Sequence, residues 1–281
     1  MVEAARKYER VVQVGTQRRS AAHFQTAVEF IRSGKLGKVP MVRTWIAGNR
    51  PSIGHMAESA SPAGVDYDLW TGPAPLKPFK ANRFHYEWHW CWDYGTGEVG
   101  NNGVHFLDIA RWGLGVDYPL AVSSSGGKFY YDDDRETPDT QIVTIDYPYS
   151  TVVWEHRFWA KRGVDGKTSG VTFYGEKGTL VFDSKGWHIE DGTLADADRA
   201  SDSADDHLRN FVDCVRSRKR PNADIEDGHK STLVCHLGNV AWKLGRTVRF
   251  DPKTQSCPGD PEADFLLGRE YRKPFVLPAQ V

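Results

Sequence analysis

Between residues 120 and 190 the chain alternates apolar and polar side chains in runs too short for helices, and glycine-rich turns such as Gly175-Glu176-Lys177-Gly178 divide them. The runs cover 120–124, 141–147, 152–158, 170–174, 179–182 and 187–190. A period of two marks strands with one covered face, and strands that follow each other this closely pair most simply antiparallel. The covered face needs helices, and helical spacing of apolar residues appears at 2–8, 20–31, 103–114, 206–218 and 228–244. Residues 41–46 add a strand, and Val11-Val12-Gln13-Val14-Gly15 reads as a short buried one. The expected fold is α/β (α+β): an open, mostly antiparallel sheet with helices packed on one face.

The stretch 51–94 fits neither period. It is rich in proline and aromatic residues, and a loop of that length in a compact domain is usually kept for function, so it is expected to be a lid or pocket wall. The chain has 10 tryptophans, several of them between Trp70 and Trp112, a density that suits a thick aromatic core or a platform for sugar rings. Lys and Arg number 36 against 37 Asp and Glu, so no overall field draws the chain to nucleic acid or anionic lipid. There is no long apolar run and no apolar signal core, which predicts a soluble cytoplasmic protein without a membrane partner. Cys91, Cys214, Cys235 and Cys257 are dispersed, which argues against a zinc cluster or a disulfide framework. Residues 191–206 read as an acidic solvated loop.

Several segments in order resemble the Gfo/Idh/MocA oxidoreductases. They are Val14-Gly15-Thr16-Gln17-Arg18-Arg19, Asp68-Leu69-Trp70-Thr71-Gly72-Pro73-Ala74-Pro75, Trp92-Asp93-Tyr94-Gly95-Thr96-Gly97-Glu98 and Gly100-Asn101-Asn102-Gly103-Val104-His105-Phe106-Leu107-Asp108. Ala223-Asp224-Ile225-Glu226-Asp227-Gly228-His229 and Cys235-His236-Leu237-Gly238-Asn239 look like one bacterial branch of it. The resemblance implies a dinucleotide-binding Rossmann domain followed by an α/β substrate domain. On that pattern residues 1–19 are a remnant of the first and residues 20–281 are the second. It also implies a homo-oligomer joined through outer sheet faces.

A dinucleotide site needs a glycine-rich turn so that backbone amides can approach the pyrophosphate. Gly15, Gly34 and Gly37 do not have the spacing of Gly-x-Gly-x-x-Gly, and the family's Glu-Lys-Pro motif is absent. Hydride chemistry needs such a cofactor. The expectation is therefore a carbohydrate-active enzyme working on a small sugar or glycoside without NAD(P), first of all a glycoside hydrolase. A divalent metal could assist it, and elimination from a 3-keto glycoside is a related chemistry. The alternative is an NAD(P)-dependent sugar oxidoreductase, truncated or dependent on a partner, and the third reading is a sugar-binding module without catalysis.

The resemblance places His105 on the histidine of a D-x-x-x-H pattern and Asn101 where that pattern has Asp. His105 can carry a proton near neutrality, whereas Asn101 can only position a hydroxyl. Glycoside cleavage would need a proton donor and a carboxylate, for which Glu87, Asp93 and Glu155 are the candidates, with Glu98 also available and His89 beside them. Trp88, Trp90 and Trp92 would stack on sugar, with His85, Arg18 and Arg157 contacting it. If 85–89 were α-helical, His85 and His89 could clamp a metal with His156 as third ligand. Strand alternation puts Trp154 and His156 on one face and Glu155 and Arg157 on the other. Arg18 and Arg19 read by default as a solvated pair, and Asp108, His229 and His236 as structural.

Overall fold

The structure is a computed structural model, and it describes residues 1–278 apart from Asn49 and residues 184–185, 193–196 and 199–203. Most of the acidic stretch expected at 191–206 lies outside the described residues.

In chain order, α1 (Val2–Lys7) and a 3-10 turn (Gln17–Ser20) precede α2 (Ala22–Arg32) and β1 (Met41–Ala47). A long strap follows, carrying α3 (Tyr67–Thr71) and a 3-10 segment (His85–Trp90), and leads into α4 (Gly97–Asn101) and α5 (Gly103–Leu114). Next come β2 (Ala121–Gly127), β3 (Thr140–Tyr147), β4 (Ser150–Arg157), β5 (Ser169–Gly175), β6 (Gly178–Asp183), β7 (Gly186–Gly192) and β8 (Ala197–Asp198). Helices α6 (Ala204–Ser217) and α7 (Ile225–Leu244), β9 (Val248–Arg249) and α8 (Pro261–Leu267) complete the chain.

The strands form one 9-stranded sheet in the order β8-β7-β6-β5-β1-β4-β3-β2-β9. The consecutive hairpins are antiparallel, as the alternation predicts. One exception lies at the centre: β1 inserts between β4 and β5 and runs parallel to β4, with Thr44 opposite Trp154. The insertion gives β1 two partners, and its Val42 and Thr44 are fully buried.

Helix α5 packs on β1, β4 and β5, α7 on β2, β3 and β9, and α2 on β7 and β8. Val42, Val152, Trp154, Val143, Ile145 and Phe173 form the sheet side of the resulting core. The approach is closest at Gly113, where an added Cβ would fall 2.6 Å from the Phe173 ring, so α5 can seat this deeply only with glycine there. Helix α5 ends on Gly115 at φ +69, and α7 runs from the Asp224 cap to Gly245 at φ +64. These are the terminators expected of helices that stop cleanly.

Two expectations near the start need correction. Residues 11–15 form no strand: Gln13 makes an isolated bridge to Asp224, and the Val14 amide donates to the Ala223 carbonyl at 2.9 Å. Nor is Arg19 solvated. It is 4% exposed and donates twice to Asp108, at 2.7 and 2.9 Å. Ser231 of α7 donates to the same carboxylate at 2.6 Å and accepts from Arg111 at 3.0 Å. Arg111 in turn reaches Asp227 at 2.9 Å.

This network joins the Gln17–Ser20 turn, α5 and α7 by charge-assisted bonds away from water. Removing one member leaves an uncompensated buried charge, so Asp108→Ala is expected to lose about 3–5 kcal/mol in urea unfolding. A loss comparable with that of a surface substitution would show that the network does not anchor α5.

Candidate active site

The start of α5 is built by glycine and asparagine. Gly97 opens α4 at φ +66, and a Cβ there would meet Thr137 at 2.9 Å, so the turn admits only glycine. Asn239 of α7 holds the preceding carbonyl of Thr96 at 2.7 Å. Asn102 carries the helical path from α4 into α5: its amide donates to Glu98 at 3.0 Å, and the His105 amide donates to its carbonyl at 3.0 Å. Asn101 and His105, four residues apart on this path, share a side. His105 is half-buried. Next to it in sequence, Phe106 carries the Arg18 guanidinium 4.3 Å above its ring. Asn101 and His105 thus mark the start of α5, and Arg18 packs on the ring of the neighbouring Phe106.

Beneath them lies Glu98, 1% exposed. It accepts from Asn101 Nδ2 at 3.1 Å and from Asn102 Nδ2, and Arg50 Nη2 lies 3.7 Å away. Burial raises the Glu98 pKa, and the two amides and Arg50 oppose that rise only in part. Because Asn101 spends its amide donor on Glu98, its Oδ1 is the end available to accept from a hydroxyl. Arg50 also donates to Tyr86 Oη at 2.7 Å, which ties the strap to the site.

The strap residues meet varied fates. His89 is 3% exposed and bonds the Tyr86 carbonyl through Nδ1. Burial, with Arg50 and Arg135 nearby, lowers its pKa to about 4, so it is neutral at physiological pH and unsuited to be the general acid. Glu87 accepts from the Trp90 indole at 2.6 Å. Trp90 is 1% exposed, has Phe158 edge-on at 4.8 Å and lies under the Arg135 guanidinium at 5.0 Å. Trp92 stacks on Trp242 at 5.7 Å and carries Lys243 over its ring at 4.1 Å. Neither Trp90 nor Trp92 offers a free face to sugar, which corrects their expected role. Trp88 is exposed, and with Trp70, Tyr94 and Asp93 it lines a cavity of about 300 Å³. There the Asp93 carboxylate is paired with Lys77.

The expected metal clamp is also corrected. His85–Trp90 is a 3-10 segment, in which residues four apart diverge around the axis, and His85 is exposed while His89 is buried. His156 is fully buried, accepts from the Trp154 indole at 3.2 Å and bonds the Pro138 carbonyl at 3.1 Å, so both its ring nitrogens are engaged. Among the described residues no group of three or more His, Cys, Asp or Glu is placed to hold a metal ion.

Glu155 and Arg157 are likewise misplaced for catalysis at His105. Trp154 faces α5, lying 3.2 Å from where a Gly103 Cβ would stand, so its neighbour Glu155 points from the opposite face. There Glu155 pairs with Arg157 at 2.7 Å and with Arg43 at 2.5 Å. The alternation itself holds: Trp154 and His156 share the helix-covered face.

From sequence, Glu98 was only one more carboxylate available for glycoside cleavage, and Arg50 had no role at all. Glu98 carried a signal, being the lone carboxylate within a run of glycine, valine and asparagine that forms a helix start. Arg50 carried none, because only the fold of the strap brings it back to α4.

The open sheet with helices packed on one face makes an α/β domain. Residues 50–277 match the oxidoreductase family C-terminal alpha/beta domain of the Gfo/Idh/MocA proteins. The chain belongs to that family. Among solved structures it resembles the WlbA dehydrogenase from Bordetella pertussis, in complex with NADH and UDP-GlcNAcA, at 17% identity and TM-score 0.62, over 89% of this chain and 66% of that one. The aldose-aldose oxidoreductase from Caulobacter crescentus, complexed with glycerol, gives 18% identity and TM-score 0.62 over 89% and 67%. An oxidoreductase domain protein from Kribbella flavida gives 17% and 0.60 over 88% and 68%. The chain spans about two thirds of these relatives' length, 66% of the first. No curated protein matches it.

These matches overturn the glycoside hydrolase expectation: the family and the resembling structures are oxidoreductases. The expectation of chemistry without NAD(P) loses its support with it, since a resembling dehydrogenase was solved with NADH. Among the described residues, the three glycines near the start do not make a dinucleotide turn. Gly15 lies before the Gln17–Ser20 turn, and Gly34 and Gly37 follow the end of α2, so none joins a strand to a helix N-terminus.

The buried Glu98 makes a pH prediction. Its folded pKa lies above its ordinary value of 4.5, so the native state holds that proton more tightly than the unfolded chain does. This stabilisation is complete below the unfolded pKa and is lost as pH rises through the raised one. Glu98→Gln removes the titration. Thermal melts from about pH 5 to about pH 8 are expected to show a smaller decline for the variant than for the parent chain, and parallel declines would refute the assignment.

Proposed function

We propose that this chain is the substrate-binding part of an NAD(P)-dependent oxidoreductase acting on a sugar or sugar-derived alcohol. Residues 20–281 supply the substrate domain and residues 1–19 the end of a dinucleotide-binding domain, with the nucleotide held by residues other than those described. The observation that carries this reading is the start of α5, where Asn101 and His105 share one side, with Arg18 and the buried Glu98–Arg50 pair adjoining.

Each group has a job that follows from its chemistry. His105 exchanges a proton with the substrate hydroxyl or carbonyl oxygen, the step for which an imidazole is suited near neutral pH. Asn101, oriented by Glu98, accepts from a neighbouring hydroxyl and fixes the ring. Arg18 brings a positive charge to the same end of the helix, where it stabilises an oxyanion. No step is assigned to Glu155, Trp90 or Trp92, whose partners are already taken.

For partners, we propose a small-molecule sugar and a second copy of this chain. The sheet face opposite the helices exposes Met41 at 37% and Ile142 at 44% beside the Arg43–Glu155–Arg157 ion pairs, a mixed apolar and charged surface suited to association. Among the described residues no helix is long and apolar enough to cross a membrane.

The test is turnover of a panel of aldoses, ketoses and sugar acids with NAD or NADP, followed at the reduced nicotinamide absorbance. His105→Ala is expected to lower kcat by about 10²–10⁴ with a smaller change in KM, and Asn101→Ala to act mainly on KM. Release of an aryl group from glycosides in nucleotide-free buffer, or sugar oxidation indifferent to His105→Ala, would overturn the reading. Light scattering checks the assembly, where a monomer at micromolar concentration would remove the second copy.

A further inference from the structure

A crevice of about 390 Å³ separates α1 from the turn joining α6 to α7. Arg6 and Arg10 line one wall, and Arg218, Lys219 and Arg220 the other. The whole chain has a net charge of −1, so this concentration is not a sample of a generally basic surface.

The charges are answered unequally. Arg6 pairs with Asp224 and reaches Glu226 at 3.3 Å, and Arg220 reaches Glu226 at 3.8 Å. Arg218 donates to the Glu9 backbone carbonyl, which is a neutral acceptor. Among the described residues Arg10, Arg218 and Lys219 take part in no ion pair.

Basic residues after a helix often answer the negative end of its dipole, here that of α6. That end is worth about half an elementary charge, against three unanswered cations. Even with the Glu9 side chain at the rim counted against them, more than one positive charge remains over a concave surface. The backbone adds a second feature: Glu9 and Arg218 sit at φ +49 and +61, in the left-handed region that non-glycine residues avoid. The hydrogen bond between Arg218 and Glu9 joins these two positions across the crevice, and residues held this way cluster at ligand sites.

We propose that the crevice binds a phosphorylated small molecule, its phosphate or diphosphate bridging Arg10 on one wall and Arg218 and Lys219 on the other. Guanidinium and ammonium groups arranged around a cavity of this size match phosphate oxygens, and a bridging anion relieves the repulsion among the three cations. None of these three residues belongs to the sugar site proposed above, so either proposal can fail without the other.

The experiment is isothermal titration of the whole chain at low ionic strength with inorganic orthophosphate and inorganic pyrophosphate. Saturable binding at one site is expected, tighter for pyrophosphate because it can reach both walls, and weakened by added salt. The double variant R10Q/K219Q changes only exposed side chains, and its melt should match that of the parent. It is expected to bind pyrophosphate roughly tenfold more weakly or worse. Absence of saturable heat, equal affinity for the two anions, or unchanged affinity in the variant would each overturn the proposal.

Discussion

The buried pairing of Arg19 with Asp108 governs how the rest of the molecule comes together. Asp108 lies one turn beyond His105 on α5, and Arg19 lies one residue beyond Arg18 on the Gln17–Ser20 turn. Closing the pair therefore sets the position of the histidine and of the neighbouring arginine in one step. Ser231 and Arg111 extend it to α7, whose Asn239 fixes the carbonyl just before α4. Apolar residues in those places could match the net stability, since desolvating charges offsets most of their attraction. They could not set a register so narrowly, because an apolar contact tolerates a slide that a bidentate bond does not.

A chain of aromatic contacts does for the strap what the ion pair does for α5. Trp154 packs beside Phe106 of α5 at 5.9 Å, His156 stacks on Phe158 at 4.7 Å, and Phe158 meets Trp90 edge-on at 4.8 Å. Arg135 and Arg50 close over Trp90, and Trp242 and Lys243 close over Trp92. The strap is thus pinned at two tryptophans, with exposed Trp88 ahead of both. Tryptophan density there serves anchorage first, and a surface for ligand faces only at the position left open.

The strands and long helices were legible because their signal is local. Residues 103–114 read as a helix and are α5 without a shift of boundary, and the hairpins from β2 to β7 follow the alternation. The insertion of β1 beside β4 was not legible, since a pairing between strands a hundred residues apart leaves no mark in either one. For the site, Asn101 and His105 were singled out through a motif whose spacing is itself helical, and they lie at the end of α4 and in the first turn of α5. Glu155, His156, Trp90 and Trp92 were misjudged because a sequence shows which groups a side chain carries and not which of them a neighbour has engaged. His85 and His89 failed for a geometric reason, a 3-10 segment in place of the α-helix their spacing would have needed.

The glycine-rich turn missing from these residues supported an inference about chemistry that the family overturned. The lack of a Gly-x-Gly-x-x-Gly spacing in the sequence does not show what reaction the chain serves. The positive features of the site bear on that more directly. Where the family pattern has Asp, this chain has Asn101, and a buried carboxylate, Glu98, stands one turn earlier and binds that asparagine's amide. An Asp at 101 would set two carboxylates against each other with Arg50 as their nearest cation at 3.7 Å from Glu98, and repulsion would force one of them to hold a proton. Asparagine avoids the conflict and lets the amide serve as the link, donating inward to Glu98 and accepting outward. On this arrangement the Glu98 carboxyl sits beneath Asn101 and steadies it by accepting from its Nδ2 at 3.1 Å.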